Sequence, residues 1–337
     1  YSGLLDYEEQ DTELADLPKT KTKILMNIAS PEAAFRWWQI PCQGIGLARM
    51  EFIINNLIKL HPMVVANHGE LKDSNLKLKI TKMTRHYPSP RDFFVDNLAM
   101  GIAQIAASRY PDPVIVRFSD FKTNEYAKLI GGELFESHEE NPMLGFRGAS
   151  RYYSDAYKPG FALECAALLK ARDEIGLDNL IVMIPFCRTL KEADQVLAVL
   201  EENGLKRGEN GLKIYVMAEI PSNIILAKQF AERFDGFSIG SNDLTQLTLG
   251  VDRDSDQLAH LFDERNEAVT TMIGNLINDA HAMNTPVGLC GQGPSDHPDF
   301  AEFLVRAGID SISLNPDSVI EVTQRIADLE ATLQNKH

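Results

Sequence analysis

Residues 180–220 read LIVMIPFCRTLKEADQVLAVLEENGLKRGENGLKIYVMAEI, and this single stretch carries a strand, a helix and a second strand. LIVMIPF (180–186) and KIYVMAEI (213–220) are apolar almost throughout, the pattern of parallel strands covered by helices. Between them, Thr189 and Glu192 have capping-box spacing, Leu190, Ala193, Leu197 and Leu200 recur at helical intervals, and Gly204 is a stop signal.

The same logic extends outward in both directions. Six further apolar runs predict strands: KILMNI (23–28), IGLARME (45–51), VIVRFS (114–119), GFSIGS (236–241), PVGLCG (286–291) and SISLNP (311–316). Helix-length segments separate most of them. One, SDHPDFAEFLVRAG (295–308), has Ser295 as its expected cap and Gly308 as its stop. Eight such strands predict an α/β fold, a (β/α)8 TIM barrel over residues 21–337, in preference to a doubly wound sheet. The stretches 52–110 and 121–158 lengthen the connections after the second and third strands. The first 20 residues are acidic and aperiodic and do not begin with Met, so they are expected to be a linker from upstream domains.

Charge narrows the function. With 33 basic and 48 acidic residues, the net charge of −15 argues against nucleic acid or an anionic membrane as partner. No secretory signal and no long apolar run is present, so a cytoplasmic location is expected. Cys42, Cys165, Cys187 and Cys290 are far apart and read as thiols rather than a disulfide framework.

A barrel's chemistry lies at the carboxyl ends of its strands. There the sequence places Arg49, Arg117, Glu219, the run Gly240, Ser241, Asn242 and Asp243, and Cys290, with Arg147 and Arg253 in the loops beyond. Glu219 and Asp243 each emerge from an apolar strand, where an unpaired charge is expensive. A pair of carboxylates suits Mg²⁺, which takes its other oxygen ligands from water and substrate; the plainer alternative is that each pairs with an arginine or caps a helix. Several converging arginines would grip carboxylate and phosphate oxygens, although any one of them taken alone reads more readily as a surface or ion-pair residue. Arg253, between Asp252 and Asp254, fits that plainer reading best. Cys290, in GLCGQG, is expected to be partly exposed and available for proton transfer. His281 and His297 are weaker alternatives as proton carriers.

GIGLARMEF, VIVRFSDF, NPMLGFRG, MAEIPSN, FSIGSNDLTQLTLGVDRD and GLCGQGPSDHPDF together resemble the carboxyl-terminal domain of the phosphoenolpyruvate-utilising enzymes, over roughly residues 20–325. Within that family the segments SIGSNDLTQ and CGQGPSD are most similar to the branch that makes phosphoenolpyruvate (PEP) from ATP, pyruvate and water in gluconeogenesis. The resemblance implies a PEP/pyruvate barrel in which Arg49, Arg117, Arg147 and Arg253 contact substrate and Glu219 and Asp243 hold Mg²⁺. Gly240, Ser241 and Asn242 would line the substrate site, and Cys290 would carry the proton. It also implies phosphohistidine and ATP-binding domains elsewhere in a longer chain, and a homodimer. The rivals are another Mg²⁺-dependent enzyme that passes through a pyruvate enolate, such as an aldolase or lyase, and a non-catalytic PEP-binding or dimerisation module.

Overall fold

The computed structural model describes residues 17–334. The expected linker at 1–20 therefore lies mostly outside the described residues. Eight parallel strands close on themselves in sequence order: β1 (Lys23–Ile28), β2 (Ile45–Arg49), β3 (Val114–Arg117), β4 (Leu180–Ile184), β5 (Ile214–Ala218), β6 (Gly236–Ile239), β7 (Val287–Leu289) and β8 (Ser311–Leu314). Closure comes from β1 pairing with β8 in the register Lys23 with Ser311 through Met26 with Leu314. Each observed strand lies inside its predicted apolar run.

Alternation along these strands divides the apolar residues into two populations. Leu47, Ile115, Met183, Met217 and Cys290, with the partly buried Ile181 and Tyr215, form a cluster of their own inside the barrel. Residues of the opposite parity, such as Val114, Val116, Val182 and Val216, belong to the larger core shared with the helices. Because both faces of each strand are covered, the runs read as uniformly apolar in the sequence.

The helix Leu190–Glu202 follows the predicted signals: Thr189 accepts from the Glu192 N–H at 3.1 Å. The reciprocal half of the box is displaced by one residue, since Glu192 accepts from the N–H of Arg188. Ser295 is a correction. It lies inside a short helix, Gly293–Asp296, and accepts from the Asn315 N–H at 3.0 Å, while the next helix, Pro298–Arg306, begins after His297. The proline at the first helical position sets that start without a serine cap.

The two long connections are joined to each other. Lys59 and His61 exchange backbone hydrogen bonds with Ile130 at 3.0 and 3.1 Å. Beneath them, buried Glu136 pairs with His61 at 2.8 Å and with Arg151. Among the described residues, no helix is long and apolar enough to cross a membrane.

Candidate active site

A cavity of about 1080 Å³ opens at the carboxyl ends of the strands. Of the ten residues singled out in the sequence, Arg49, Arg117, Arg147, Glu219, Gly240, Asn242, Asp243, Arg253 and Cys290 line it. Ser241 does not. It begins the helix Ser241–Leu249, is fully buried, and its hydroxyl has no hydrogen-bond partner among the described residues.

Three buried carboxylates form the floor: Asp120, Glu219 and Asp243 offer oxygens that all lie within 4.8 Å of one another. Asp120 was not singled out in the sequence. Its signal was its position three residues after Arg117, in VRFSD, where an inward-facing strand end turns into a loop. The carboxylates differ in how their charge is balanced. Arg147 donates through Nε and Nη2 to Asp120 at 3.0 and 2.5 Å, and through the same Nη2 to Asp243 at 3.0 Å. Burial alone would raise the Asp120 pKa, but the Arg147 and Arg117 guanidiniums outweigh it and hold the group below the usual carboxylate range.

Glu219 is different. It is 2% exposed, and among the described residues it has no cationic side chain in ion-pair contact. Its Oε1 accepts from the Phe186 N–H at 2.7 Å. Burial, reinforced by the charges of Asp243 and Asp120, pushes its pKa well above the carboxylate range. Gly240 is what lets Glu219 occupy this place, because a Cβ on residue 240 would stand 2.9 Å from Glu219 Oε2 and 3.0 Å from its Cβ. The plainer alternative, that each carboxylate pairs with an arginine, therefore describes Asp243 and Asp120 but not Glu219.

The arginines divide in a similar way. Arg117 is committed to Glu51, a residue not singled out in the sequence, and its Nη1 stands 3.6 Å from Asp120. Glu51 Oε1 also accepts from the Asp120 N–H at 3.0 Å, which links the ends of β2 and β3. The Arg49 side chain makes no ion pair or hydrogen bond within the described residues; its guanidinium lies 5.0 Å from the ring of Phe52, which also lines the cavity. Arg253 is loosely placed, with nitrogens 3.8 Å from Asp243 and 3.9 Å from its neighbour Asp254. Arg49 and Arg253 are thus the two of the four that remain available to an incoming anion.

Cys290 requires a correction. Expected to be partly exposed, it is 5% exposed and belongs to the barrel-interior cluster, although it lines the cavity floor. Its Sγ is 3.6 Å from the Ile239 carbonyl, and its own carbonyl accepts from Asn27 Nδ2 at 3.1 Å. Burial pushes the thiol up to about 11, so it carries its proton at neutral pH. His297 lines the cavity, whereas His281 pairs with Asp310 on the surface at 2.9 Å.

The donor set fits a hard divalent cation: three carboxylates, oxygen atoms only, one of them buried with no cationic side chain in ion-pair contact among the described residues. Arg49, without an ion pair among the described residues, and Arg253, held only by contacts of 3.8 and 3.9 Å, line the same cavity.

The sequence profile of a family described as "PEP-utilising enzyme, PEP-binding domain" matches residues 6–331. A protein named phosphoenolpyruvate synthase from Synechocystis sp. is 59% identical over 334 residues, covering 99% of this chain and 41% of that protein. Proteins of the same name from Neisseria meningitidis and Aquifex aeolicus are 56% and 51% identical, covering 97% and 99% of this chain and 41% and 44% of their own lengths. The chain thus spans about two fifths of the length of these curated relatives.

Proposed function

Because the chain belongs to the family of PEP-utilising enzymes, as their PEP-binding domain, we propose that its cavity binds pyruvate and PEP and hosts their interconversion. The single observation that carries this reading is Glu219: a buried carboxylate with no cationic side chain in ion-pair contact among the described residues, beside two others, in a cavity also lined by Arg49, which makes no ion pair there, and by the loosely held Arg253. Glu219 and Asp243, with Asp120 beside them, would hold Mg²⁺. When bound, the ion supplies electrophilic stabilisation of negative charge on the pyruvate oxygens.

The chain's own residues supply the rest. Arg49 and Arg253 receive the carboxylate and phosphoryl oxygens, with Arg117 and Arg147 adding positive charge from fixed positions. Gly240 and Asn242 form the edge against which the substrate lies, with Ser241 buried between them. Cys290 handles the proton. When PEP forms, a methyl C–H bond of pyruvate breaks, its electron pair becomes the enol double bond while the carbonyl π pair moves onto oxygen, and the proton passes to Cys290 in its thiolate form, directly or through a relay, restoring the thiol. The enolate oxygen then takes the phosphoryl group from a phosphohistidine. In the opposite direction the protonated thiol returns its hydrogen to carbon.

The whole reaction on this reading is ATP, pyruvate and water to PEP, AMP and phosphate, in the cytoplasm, by a homodimer. Residues 21–337 are the barrel, 1–20 lead into it, and phosphohistidine and ATP-binding domains act from the remaining length of the parent protein. The relatives' names support the reaction, and the two-fifths coverage supports the further domains. An aldolase or lyase would need the carboxylates but not a cluster of four arginines around them.

Methyl hydrogen exchange tests the proposal. The chain, given Mg²⁺ and pyruvate in D₂O, is expected to wash deuterium into the methyl group, as read by proton NMR. Cys290→Ala should stop the exchange while Mn²⁺ still binds, and exchange that persists would remove the thiol from the mechanism. Glu219→Gln should lose Mn²⁺ affinity by at least about tenfold. Unchanged affinity would remove the carboxylates as the metal site.

A further inference from the structure

Phe186 follows β4 in a conformation its side chain disfavours. Its φ of +46° is left-handed, a region that bulky residues other than glycine rarely enter. Such strain persists only where the surroundings over-determine it. Three sets of contacts do so. The ladder between β4 and β5 pairs Ile184 with Val216 and goes no further; beyond it, the Phe186 N–H donates to a side chain instead, Glu219 Oε1. The ring, 2% exposed, lies 4.0 Å from the Arg147 guanidinium carbon and 4.7 Å from that of Arg188. Finally, Gly148, itself left-handed at φ +59°, packs so closely that a Cβ there would stand 2.5 Å from Phe186 Cβ and 2.7 Å from the Pro185 carbonyl oxygen.

These contacts converge on one arrangement. Arg188 donates to the carbonyls of Gly145 and Arg147 at 2.5 and 3.3 Å, tying the loop that carries Arg147 to the end of β4. The Ala149 N–H donates to the Pro185 carbonyl at 3.1 Å from the other side. Arg147 is thereby held with its planar head over an aromatic face and its nitrogens on Asp120 and Asp243. A guanidinium gains from the electron-rich face of the ring, and most when water is excluded. A side chain that only filled this space would need neither the left-handed backbone nor a π face; a leucine in ordinary geometry would serve.

We propose that Phe186 is a positioning residue with two separable tasks: its amide aims Glu219 into the carboxylate triad, and its ring holds Arg147 between Asp120 and Asp243. The first task rests on the metal reading given above; the second does not.

The two tasks are tested separately on the full chain. Phe186→Leu keeps the N–H and most of the apolar volume but removes the π face. Phe186→Gly also removes the ring, while accepting the left-handed backbone without strain. Gly148→Ala keeps the ring and pushes the backbone at 185–186 aside. One readout is hydrogen exchange of the Arg147 Nε–H, followed by NMR without metal. The other is Mn²⁺ affinity from electron paramagnetic resonance. Phe186→Leu and Phe186→Gly are expected to speed the exchange about tenfold while Mn²⁺ affinity falls by no more than about threefold from the parent. Gly148→Ala is expected to weaken Mn²⁺ binding by about tenfold or more. Unchanged Nε–H exchange in both folded Phe186 variants overturns the ring's task, and unchanged Mn²⁺ affinity in Gly148→Ala overturns the amide's. If the parent chain itself binds no Mn²⁺, the metal reading and the amide's task fall together, and the exchange rate still decides the ring's task.

Discussion

Arg147 and Asp243, 96 positions apart in the chain, meet at 3.0 Å on the cavity floor, and the same Arg147 nitrogen also serves Asp120 at 2.5 Å. The guanidinium therefore occupies the ground that a divalent cation would share.

Removing that guanidinium should expose the relationship. Arg147→Met leaves buried Asp120 and Asp243 only the longer contacts of Arg117 and Arg253, at 3.6 and 3.8 Å, and is expected to cost up to about 3–5 kcal/mol of unfolding free energy in metal-free buffer. Because Mg²⁺ can take over the same charges, millimolar Mg²⁺ should recover part of that loss, more than it stabilises the parent. Urea unfolding with and without Mg²⁺ measures both quantities. An identical loss in the two buffers would show that Arg147 and the cation do not share these carboxylates.

Cys290 should behave as a neutral, shielded thiol. With its pKa pushed up to about 11 by burial, the thiolate fraction at pH 7 is minute and grows with each unit of pH. Its alkylation by iodoacetamide, read by peptide mass spectrometry, is expected to be slow at pH 7.5 and to climb through pH 10 without a plateau. Pyruvate with Mg²⁺ should protect it. A plateau near pH 8 would contradict the buried position.

Glu164 supplies a pH dependence of stability. It is fully buried under the loop after β3 and accepts from the Ser119 N–H at 3.1 Å, Ser119 Oγ at 2.6 Å and the Tyr157 hydroxyl at 2.9 Å. Burial still dominates and raises its pKa from 4.5 to about 7. The folded chain thus holds a proton that the unfolded chain has released, so this contribution is complete below about pH 4.5 and is lost as pH rises to about 7. The shift corresponds to roughly 3 kcal/mol. Unfolding free energies of Glu164→Gln, measured against the parent from pH 4.5 to 8, should lack this decline. Parallel profiles would sink the assignment.

The Glu136 cluster should hold the two long connections together. Glu136→Ala leaves Arg151, 1% exposed, and His61, 0% exposed, without their shared carboxylate. A loss of about 3–5 kcal/mol is expected, with faster proteolytic cleavage between residues 130 and 150 as the accompanying sign. Unchanged stability and cleavage would mean that the backbone bonds at Ile130 suffice.

Much of the candidate site was legible in single segments. Glu219 and Asp243 stood out because a carboxylate at the end of an apolar run has no local reason to be there. Asp120 and Glu51 were not separable from ordinary loop acids, since what marks them is Arg117 and Arg147 arriving from other strands. Phe186 read simply as the last apolar residue of a strand; nothing in its type announces a left-handed backbone. Cys290 was placed at the correct strand end but given the wrong exposure, because its burial comes from Leu47, Ile115, Met183 and Met217 on four other strands.

By itself the sequence determined the eight strands, their parallel sense, the helical signals between them and the end of the barrel where polar residues gather. These follow from periodicity and local capping, which act over a few residues along the chain. Only the tertiary structure decided which carboxylates converge, which arginines are tightly paired with them and which are loosely held, and that Glu219 has no cationic side chain in ion-pair contact among the described residues. Those facts depend on distances of 3–5 Å between strands far apart in sequence, and electrostatic balance in a buried site is set by such distances rather than by residue type.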